Sequence, residues 1–277
     1  MQQTAVVAEP AIRLGCFLLV LFLVGLWEVI APRRAQNVAR TRRWPGNLGI
    51  VVLDTLAVRL LFPMTAVGVA IYAQKSGWGL FSVLSAPEWV TLAGSLLLLD
   101  LTIYAQHVAF HFVPVLWRLH RMHHADLEFD VTTGLRFHPA EIVLSMVVKF
   151  GAIIVLGAPP VAVMIFEVAL NATAMFNHGN VRLFTGLDRL LRWMMVTPDM
   201  HRVHHSIVWR ETNSNFGFNL PWWDRLFGTY LDQPLAEHDK VTIGIPQFRD
   251  PGELRLDRML LQPFRRANSS ATGTDAN

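Results

Sequence analysis

Eleven histidines fall unevenly over the 277 residues, and their spacing is the first chemical signal in the chain. His107 and His111 stand at i and i+4, which on a helix puts both imidazoles on one face. Asp100 falls seven residues before His107, on that same face. His120-Arg-Met-His123-His124 gives spacings of three and four, and His201-Arg-Val-His204-His205 repeats the pattern 81 residues later. Two such copies, with the H-x-x-x-H pair, predict a metal site; imidazole suits iron, zinc, copper and nickel. These motifs supply eight histidines. His178, in Asn177-His178-Gly-Asn180, is a further candidate ligand. His138, in Arg136-Phe-His138-Pro-Ala-Glu141, is either a ligand, a residue at a helix start or an outer residue of the site. Ten imidazoles would serve two metals and leave positions open. His238 reads as a surface residue. The single cysteine, Cys16, lies in an apolar run, which excludes an internal disulfide, a four-cysteine iron–sulfur cluster and a cysteine-based zinc finger.

Ligand histidines usually give their other N–H to a carboxylate or a carbonyl. Asp100, Asp126, Asp130, Glu141, Asp199 and Asp224 lie near the motifs. Asp100, Asp199 and Asp224 are the expected acceptors, with helix capping the alternative for Asp199, after Pro198, and for Asp224.

The elements that must position these groups are apolar. Hydrophobic residues make up 52% of the chain and charged ones 16%, well under the quarter or so typical of soluble domains. Leu14 to Ile30, Leu48 to Tyr72 and Trp89 to Tyr104 read as membrane spans, the last continuing as helix to Phe112. Asp54 and Arg59 in the second are costly in lipid, and are expected to face the bundle or the interface. Ile142–Leu156 and Val161–Met175 flank a Gly157-Ala-Pro-Pro160 turn and predict a hairpin too short to cross fully, with Lys149 and Glu167 paired across it. Arg33, Arg34, Arg40, Arg42 and Arg43 read as the cytoplasmic flank of the first span rather than as a nucleic-acid contact. That orientation returns both histidine groups to the cytoplasmic face. The expected class is therefore all-α: an integral-membrane helical bundle with a cytoplasmic histidine-rich di-metal cap. It forms one domain over residues 1–236, followed by a soluble tail, 237–277, partly disordered from Ala267.

The order of motifs resembles the fatty acid hydroxylase and sterol desaturase superfamily of membrane di-iron enzymes. The resemblance rests on His107–His111, Leu116-Trp-Arg-Leu-His120-Arg-Met-His123-His124, Thr132-Thr-Gly-Leu-Arg136-Phe-His138-Pro-Ala-Glu141 and Asn177-His178-Gly-Asn180. It continues through Thr197-Pro-Asp199-Met-His201-Arg-Val-His204-His205-Ser206, Asn215-Phe-Gly217 and Trp223-Asp224-Arg-Leu-Phe-Gly-Thr-Tyr230, and covers roughly residues 95–232. It implies His107, His111, His120, His123, His124, His178, His201, His204 and His205 as ligands of two iron ions, with His138 as a tenth. Some relatives carry a further histidine where this chain has Ala174, a place that His138 fills or that stays open. The resemblance also implies O2 as co-substrate and oxidation of a C–H bond to an alcohol or an alkene. The substrate would be a lipid taken from the bilayer, such as a sterol, fatty acyl chain or ether lipid. Electrons would come from a separate donor, a cytochrome b5-like protein, a ferredoxin or a reductase.

Two other classes compete. A metal transporter would place ionisable groups near mid-membrane, whereas these histidines fall beyond the predicted helix ends. A zinc hydrolase needs few histidines per site. The ending Thr274-Asp-Ala-Asn277 carries no retrieval signal for the endoplasmic reticulum, so a bacterial inner membrane is the expected location.

Overall fold

The computed structural model describes residues 2–266 of the chain, and every described element is helical or irregular. Helix α1 spans Gln2–Ile30, α2 Arg40–Leu61, α3 Ala66–Lys75, α4 Leu80–Val83 and α5 Glu88–Phe112. After α6, Pro114–His124, come α7, Pro139–Leu156, and α8, Pro160–Asn177. Short helices complete the cap: α9 Thr185–Leu191, α10 Pro198–His204, α11 Trp209–Thr212, α12 Trp222–Leu226 and α13 Leu256–Leu261. Five segments are long and apolar enough to cross a membrane: Glu9–Ile30, Arg40–Val83, Glu88–Phe112, Pro139–Leu156 and Pro160–Asn177. Leu99, Ile103, Ile153 and Phe166 lie in the buried core that α3, α5, α7 and α8 share.

The second span is not one helix. It breaks between Leu61 and Ala66, where Pro63 cannot continue the ladder and Thr65 caps α3 by accepting from the Gly68 N–H at 3.1 Å. Of its two charged residues, Asp54 is buried in the bundle and Arg59 is exposed.

The hairpin helices are longer than their apolar runs. Each has 18 residues, about 27 Å of helix, close to the ~30 Å hydrocarbon core of a bilayer. Gly157 closes α7 with φ 66°, and a Cβ there would lie 2.6 Å from the Trp78 carbonyl oxygen, so both backbone shape and space demand glycine. The expected ion pair forms: Lys149 Nζ donates to Glu167 Oε1 at 2.7 Å, and Arg13 Nη1 meets Oε2 at 2.8 Å from α1.

One end of the bundle gathers the cap. Pro32, just past α1, bridges to Val181, just past α8. At the same end the start of α2 is tied to the loop after α6. Arg43 Nε and Nη2 donate to the two Asp126 carboxylate oxygens at 2.8 Å each, and Nη1 donates to Asp130 at 2.5 Å, all fully buried. Arg136 Nε donates to the Met122 carbonyl at 2.8 Å and its Nη1 to Asn47 at 3.1 Å, pinning the last turn of α6 to α2. The arginine stretch is thus more than a flank. Arg43 is wholly interior, Arg33 pairs with Asp199 and Asp239, and Arg34 donates to the Val241 carbonyl.

Residues 237–266 do not form a detached tail. Val241, Ile243 and Ile245 are buried, the first two against Phe129, and Leu254 and Met259 are buried as well. The Ile207 N–H donates to the Thr242 carbonyl at 2.8 Å and the Gly244 N–H to the His205 carbonyl at 3.0 Å. His238 is buried rather than on the surface. The stretch expected to be disordered, Ala267–Asn277, lies outside the described residues.

Candidate metal centre

Nine histidines converge at the cap end of the bundle in two groups. The first holds His107, His111, His120, His124 and His204; the second holds His123, His178, His201 and His205. All nine are buried. In each group the candidate ligand atoms lie within 4.8 Å of one another.

Helix geometry explains the division. In α6 the i, i+4 pair His120 and His124 points into the first group, while His123, a hundred degrees round the helix from His124, points into the second. The α10 motif is assigned the other way: His201 and His205 enter the second group and His204 the first. Each H-x-x-H-H motif therefore serves both groups, and the two motifs interlock. The i, i+4 pair of α5 completes the first group, and His178, at the end of α8, completes the second. One helical turn before His178 stands Ala174, so the second group has four imidazoles against five. Gly134 lets the turn at Thr133–Leu135 lie against this point; a Cβ there would sit 2.5 Å from the Ala174 oxygen and 3.0 Å from His178 Nδ1.

The hydrogen bonds set the tautomers. His107 Nδ1 faces the Phe216 carbonyl, His204 Nδ1 the Ser214 carbonyl and His178 Nδ1 the Ala174 carbonyl, each at 2.7 Å. A carbonyl only accepts, so each Nδ1 carries the hydrogen and each Nε2 is a bare lone pair. Yet His107 and His204 Nε2 face each other at 3.1 Å, too close for two lone pairs with nothing between them. His107 Nε2 is also 3.1 Å from that of His120. In the second group, His178 Nε2 lies 3.1–3.2 Å from the Nε2 atoms of His123, His201 and His205. Such separations are the edges expected between neighbouring nitrogens each about 2.1 Å from one ion. His124 has no hydrogen-bond partner on either nitrogen although it is buried, a cost that ligation removes. Burial, and then the neighbouring imidazoles, push His123, His124, His201, His204 and His205 far below their ordinary pKa; burial takes His120 and His178 down to about 3. All seven are neutral near pH 7, the form that binds a cation. The donor set fits a pair of metal ions.

His138 is not brought into either group. It caps α7, its Nδ1 accepting from the Ala140 N–H at 3.1 Å, and its Nε2 faces the Leu260 carbonyl at 3.3 Å. None of the three expected aspartates touches a candidate ligand. Among the described residues the carboxylate that does so is Glu141, whose Oε1 lies 2.7 Å from His120 Nδ1. Asp224 acts one step further out. Burial raises its pKa to about 6, against the hydrogen bonds it accepts from Thr229 Oγ1 and the Gly217 and Phe216 N–H groups at 2.7–2.9 Å. It thereby fixes the peptide whose carbonyl holds His107. Asp100 accepts from Asn219 Nδ2 and Trp223 Nε1 at 2.8 Å each, anchoring the same loop to α5. Asn215, at φ 52°, donates to the Met200 and Leu231 carbonyls at 3.0 and 2.8 Å, and so presents Ser214 and Phe216 to His204 and His107. Asp199 ties Arg202 to Arg33 and lies 3.9 Å from His238, and makes no hydrogen bond to the nine grouped imidazoles.

An aromatic shell closes round the groups. Phe137 stacks on His123 with ring centroids 4.4 Å apart, Phe216 lies 5.0 Å from His111, and Trp117 lies 5.0 Å from His111 and 5.5 Å from His124.

Comparison with known proteins agrees with this centre. The family profile described as fatty acid hydroxylase matches residues 92–229, a stretch that includes all nine histidines. The ornithine lipid hydroxylase OlsE of Rhizobium tropici is 34% identical over 62% of this chain and 49% of its own length. The alkylglycerol monooxygenase of Xenopus tropicalis is 29% identical over 57% of this chain and 32% of its own, and the fatty acid hydroxylase vlmA of Lecanicillium sp is 28% identical over 52% and 43%. The chain thus spans less than half the length of each of these relatives. No solved structure matches it. With its histidine motifs, its helical membrane bundle and this profile match, the chain belongs to the fatty acid hydroxylase family.

Proposed function

We propose that this chain is a membrane-bound lipid hydroxylase that uses a pair of iron ions, O2 and electrons from a separate protein to oxidise a C–H bond. The observation that carries the reading is the set of nine buried imidazoles in two adjoining groups, with Nε2 lone pairs turned towards one another at 3.1–3.2 Å. His107, His111, His120, His124 and His204 would hold one ion, and His123, His178, His201 and His205 the other. With iron bound, the centre supplies the activation of O2 and the oxidising power for an unactivated C–H bond.

The chain's own residues orient and insulate. The Phe216 and Ser214 carbonyls and the Glu141 carboxylate keep three Nδ1–H groups occupied, so that Nε2 of His107, His204 and His120 serves the centre. Phe137, Phe216 and Trp117 keep water from the reacting volume, so a strong oxidant meets substrate rather than solvent. The names of the relatives support a lipid substrate, and hydroxylation over desaturation. The arginine stretch at the metal end of the bundle supports a cytoplasmic side for the centre, facing a separate electron donor. No feature of the site favours the transport or zinc-hydrolase readings.

The test is a product assay. Iron-loaded protein in lipid discs, with a chemical reductant and an extract of bacterial lipids, should give an O2-dependent gain of one oxygen atom in a lipid. His204→Ala should abolish it. Product formed equally without O2, or by zinc-loaded protein, would overturn the proposal.

A further inference from the structure

Outside the metal groups, the bundle carries a groove of about 640 Å3 between α5 and α7. On α5 its wall is Leu98, Thr102, Ala105 and Ala109; on α7 it is Leu144, Val148 and Ala152. These residues recur at intervals of three and four, so each wall is a single helix face and the groove runs parallel to the helices. From Leu98 to Ala109 it is about 16 Å long, more than half of a bilayer core. Small side chains create it, with Ala105, Ala109 and Ala152 facing the gap. Both helices are candidate spans and their neighbouring outward residues, Leu97 and Val147, are exposed. The groove therefore opens towards lipid, not water.

Its two ends differ. The far end is apolar, with Val155 and Leu156. The end nearest the cap is formed by Phe110 and Leu116. Phe110 is buried, and its ring centroid lies 5.7 Å from that of His120, so this aromatic ring lines the groove on one side and borders the first histidine group on the other. One polar side chain near this end is half satisfied. Gln106 lines the groove and its amide nitrogen donates to Ser145 Oγ across the helix pair, while its buried Oε1 has no partner.

We propose that this groove holds one straight acyl or alkyl chain of a bilayer lipid, with the head-group end at Gln106 and Phe110, and that Phe110 sets which carbons reach the metal groups. The proposal rests on the lipid-hydroxylase reading and names its substrate as a chain-bearing lipid. The volume lies within the range of sites that enclose a single small molecule. The walls offer methyl and methylene contact along the whole length, which suits a chain lying as its bilayer neighbours lie. The free Oε1 of Gln106 can accept from a hydroxyl or an amide N–H near the lipid's linkage. Because the cap end of the groove lies at the membrane boundary, the carbons next to Phe110 are those close to the head group. Oxidation is then expected near that end of the chain and not at its middle.

Photolabelling tests this directly. Phosphatidylethanolamine with a diazirine in one acyl chain would be mixed into vesicles holding the full-length, iron-loaded protein, and the labelled peptides mapped. Labels should concentrate on residues 98–109 and 144–156 over the outward face of α1. Ala105→Trp should cut groove labelling and lipid oxidation about tenfold, the loss of roughly two methylene contacts, with metal content unchanged. Val148→Phe, a milder filling, should do the same if the first variant does not fold. Labels spread evenly over α1 and α5 would show an ordinary lipid-facing surface and overturn the proposal, as would unchanged oxidation in a metal-replete Ala105→Trp. Labelling confined to the groove with no oxidised lipid from the wild type would leave the groove standing as a lipid site and remove the hydroxylase reading instead.

Discussion

An imidazole that gives its Nδ1–H to a peptide carbonyl has one lone pair left, and in a dry interior that lone pair needs a cation or a donor. His107, His178 and His204 are all in this state, and each meets other imidazoles rather than donors. The histidines were legible because ligation imposes spacing that a helix must honour, and i, i+3, i+4 is that spacing. Their outer partners were not. Two of the carbonyls that hold them, Phe216 and Ser214, come from an irregular loop, and a peptide oxygen leaves no trace in residue type. Asp100 and Asp224 do serve that loop, which is why aspartates near the motif were a partial guide. Glu141 is the exception, being a side chain in direct reach of His120. Glu141→Gln should weaken metal affinity about 10- to 100-fold, measured by competition with a chelator, whereas Asp199→Asn should leave it unchanged. Equal losses in the two variants would contradict the assignment. Acid acts at this scale as well. Burial takes His120 and His178 down to about 3, against roughly 6.5 in the unfolded chain. The unfolded chain then binds protons more readily, so stability held above about pH 6.5 is lost as the pH falls towards 3. The metal-free protein should show a lower unfolding midpoint at pH 5 than at pH 7.5, and an unchanged one would count against imidazoles held neutral by burial.

Elements decide whether those side chains meet. The long apolar runs read clearly as helices, and the turn at Gly157 was visible in its glycine and prolines. The break in the second span was also written in the sequence, at Pro63, but an apolar run of bilayer length concealed it. The Lys149–Glu167 pair followed from equal distances to a tight turn, and the structure adds Arg13 from α1 as a third member. Glu167→Gln would leave buried Lys149 and half-buried Arg13 without their shared carboxylate. Removing one partner of a buried pair costs about 3–5 kcal/mol, so the variant should unfold at lower denaturant in detergent or lipid discs. A difference under about 1 kcal/mol would mean that water reaches the pair. Gly134→Ala tests packing at the second histidine group, since its Cβ would press on the Ala174 carbonyl and on His178. Its expected outcome is reduced metal retention with the helical circular dichroism preserved.

At the scale of the molecule, the cap is joined to the membrane bundle by apolar clusters, Met122 against Ile50 and Phe216 and Trp223 against Tyr104 among them, and by a buried ion-pair junction. Arg43 is the centre of that junction, bonded to Asp126 and Asp130 with no exposure. Burial alone would raise the Asp126 carboxyl, but the Arg43 charge and its hydrogen bonds hold it well below the carboxylate range. Arginines after a first span carry two meanings, flank and clamp, and local sequence does not separate them; the partner lies over eighty residues away. The same distance hid the fold of residues 237–266, whose buried valine and isoleucines are too few to form a pattern. Arg43→Gln should loosen the cap, seen as faster proteolysis within residues 114–138 while the spans stay intact.

The most direct test of the whole account is metal content. The full chain, purified in detergent from iron-supplemented cells, should carry close to two iron ions, one for each histidine group. His123→Ala and His204→Ala, one from each group, should each lose most of it while remaining folded. Stoichiometric zinc in the wild type, or iron unchanged by both substitutions, would contradict the account.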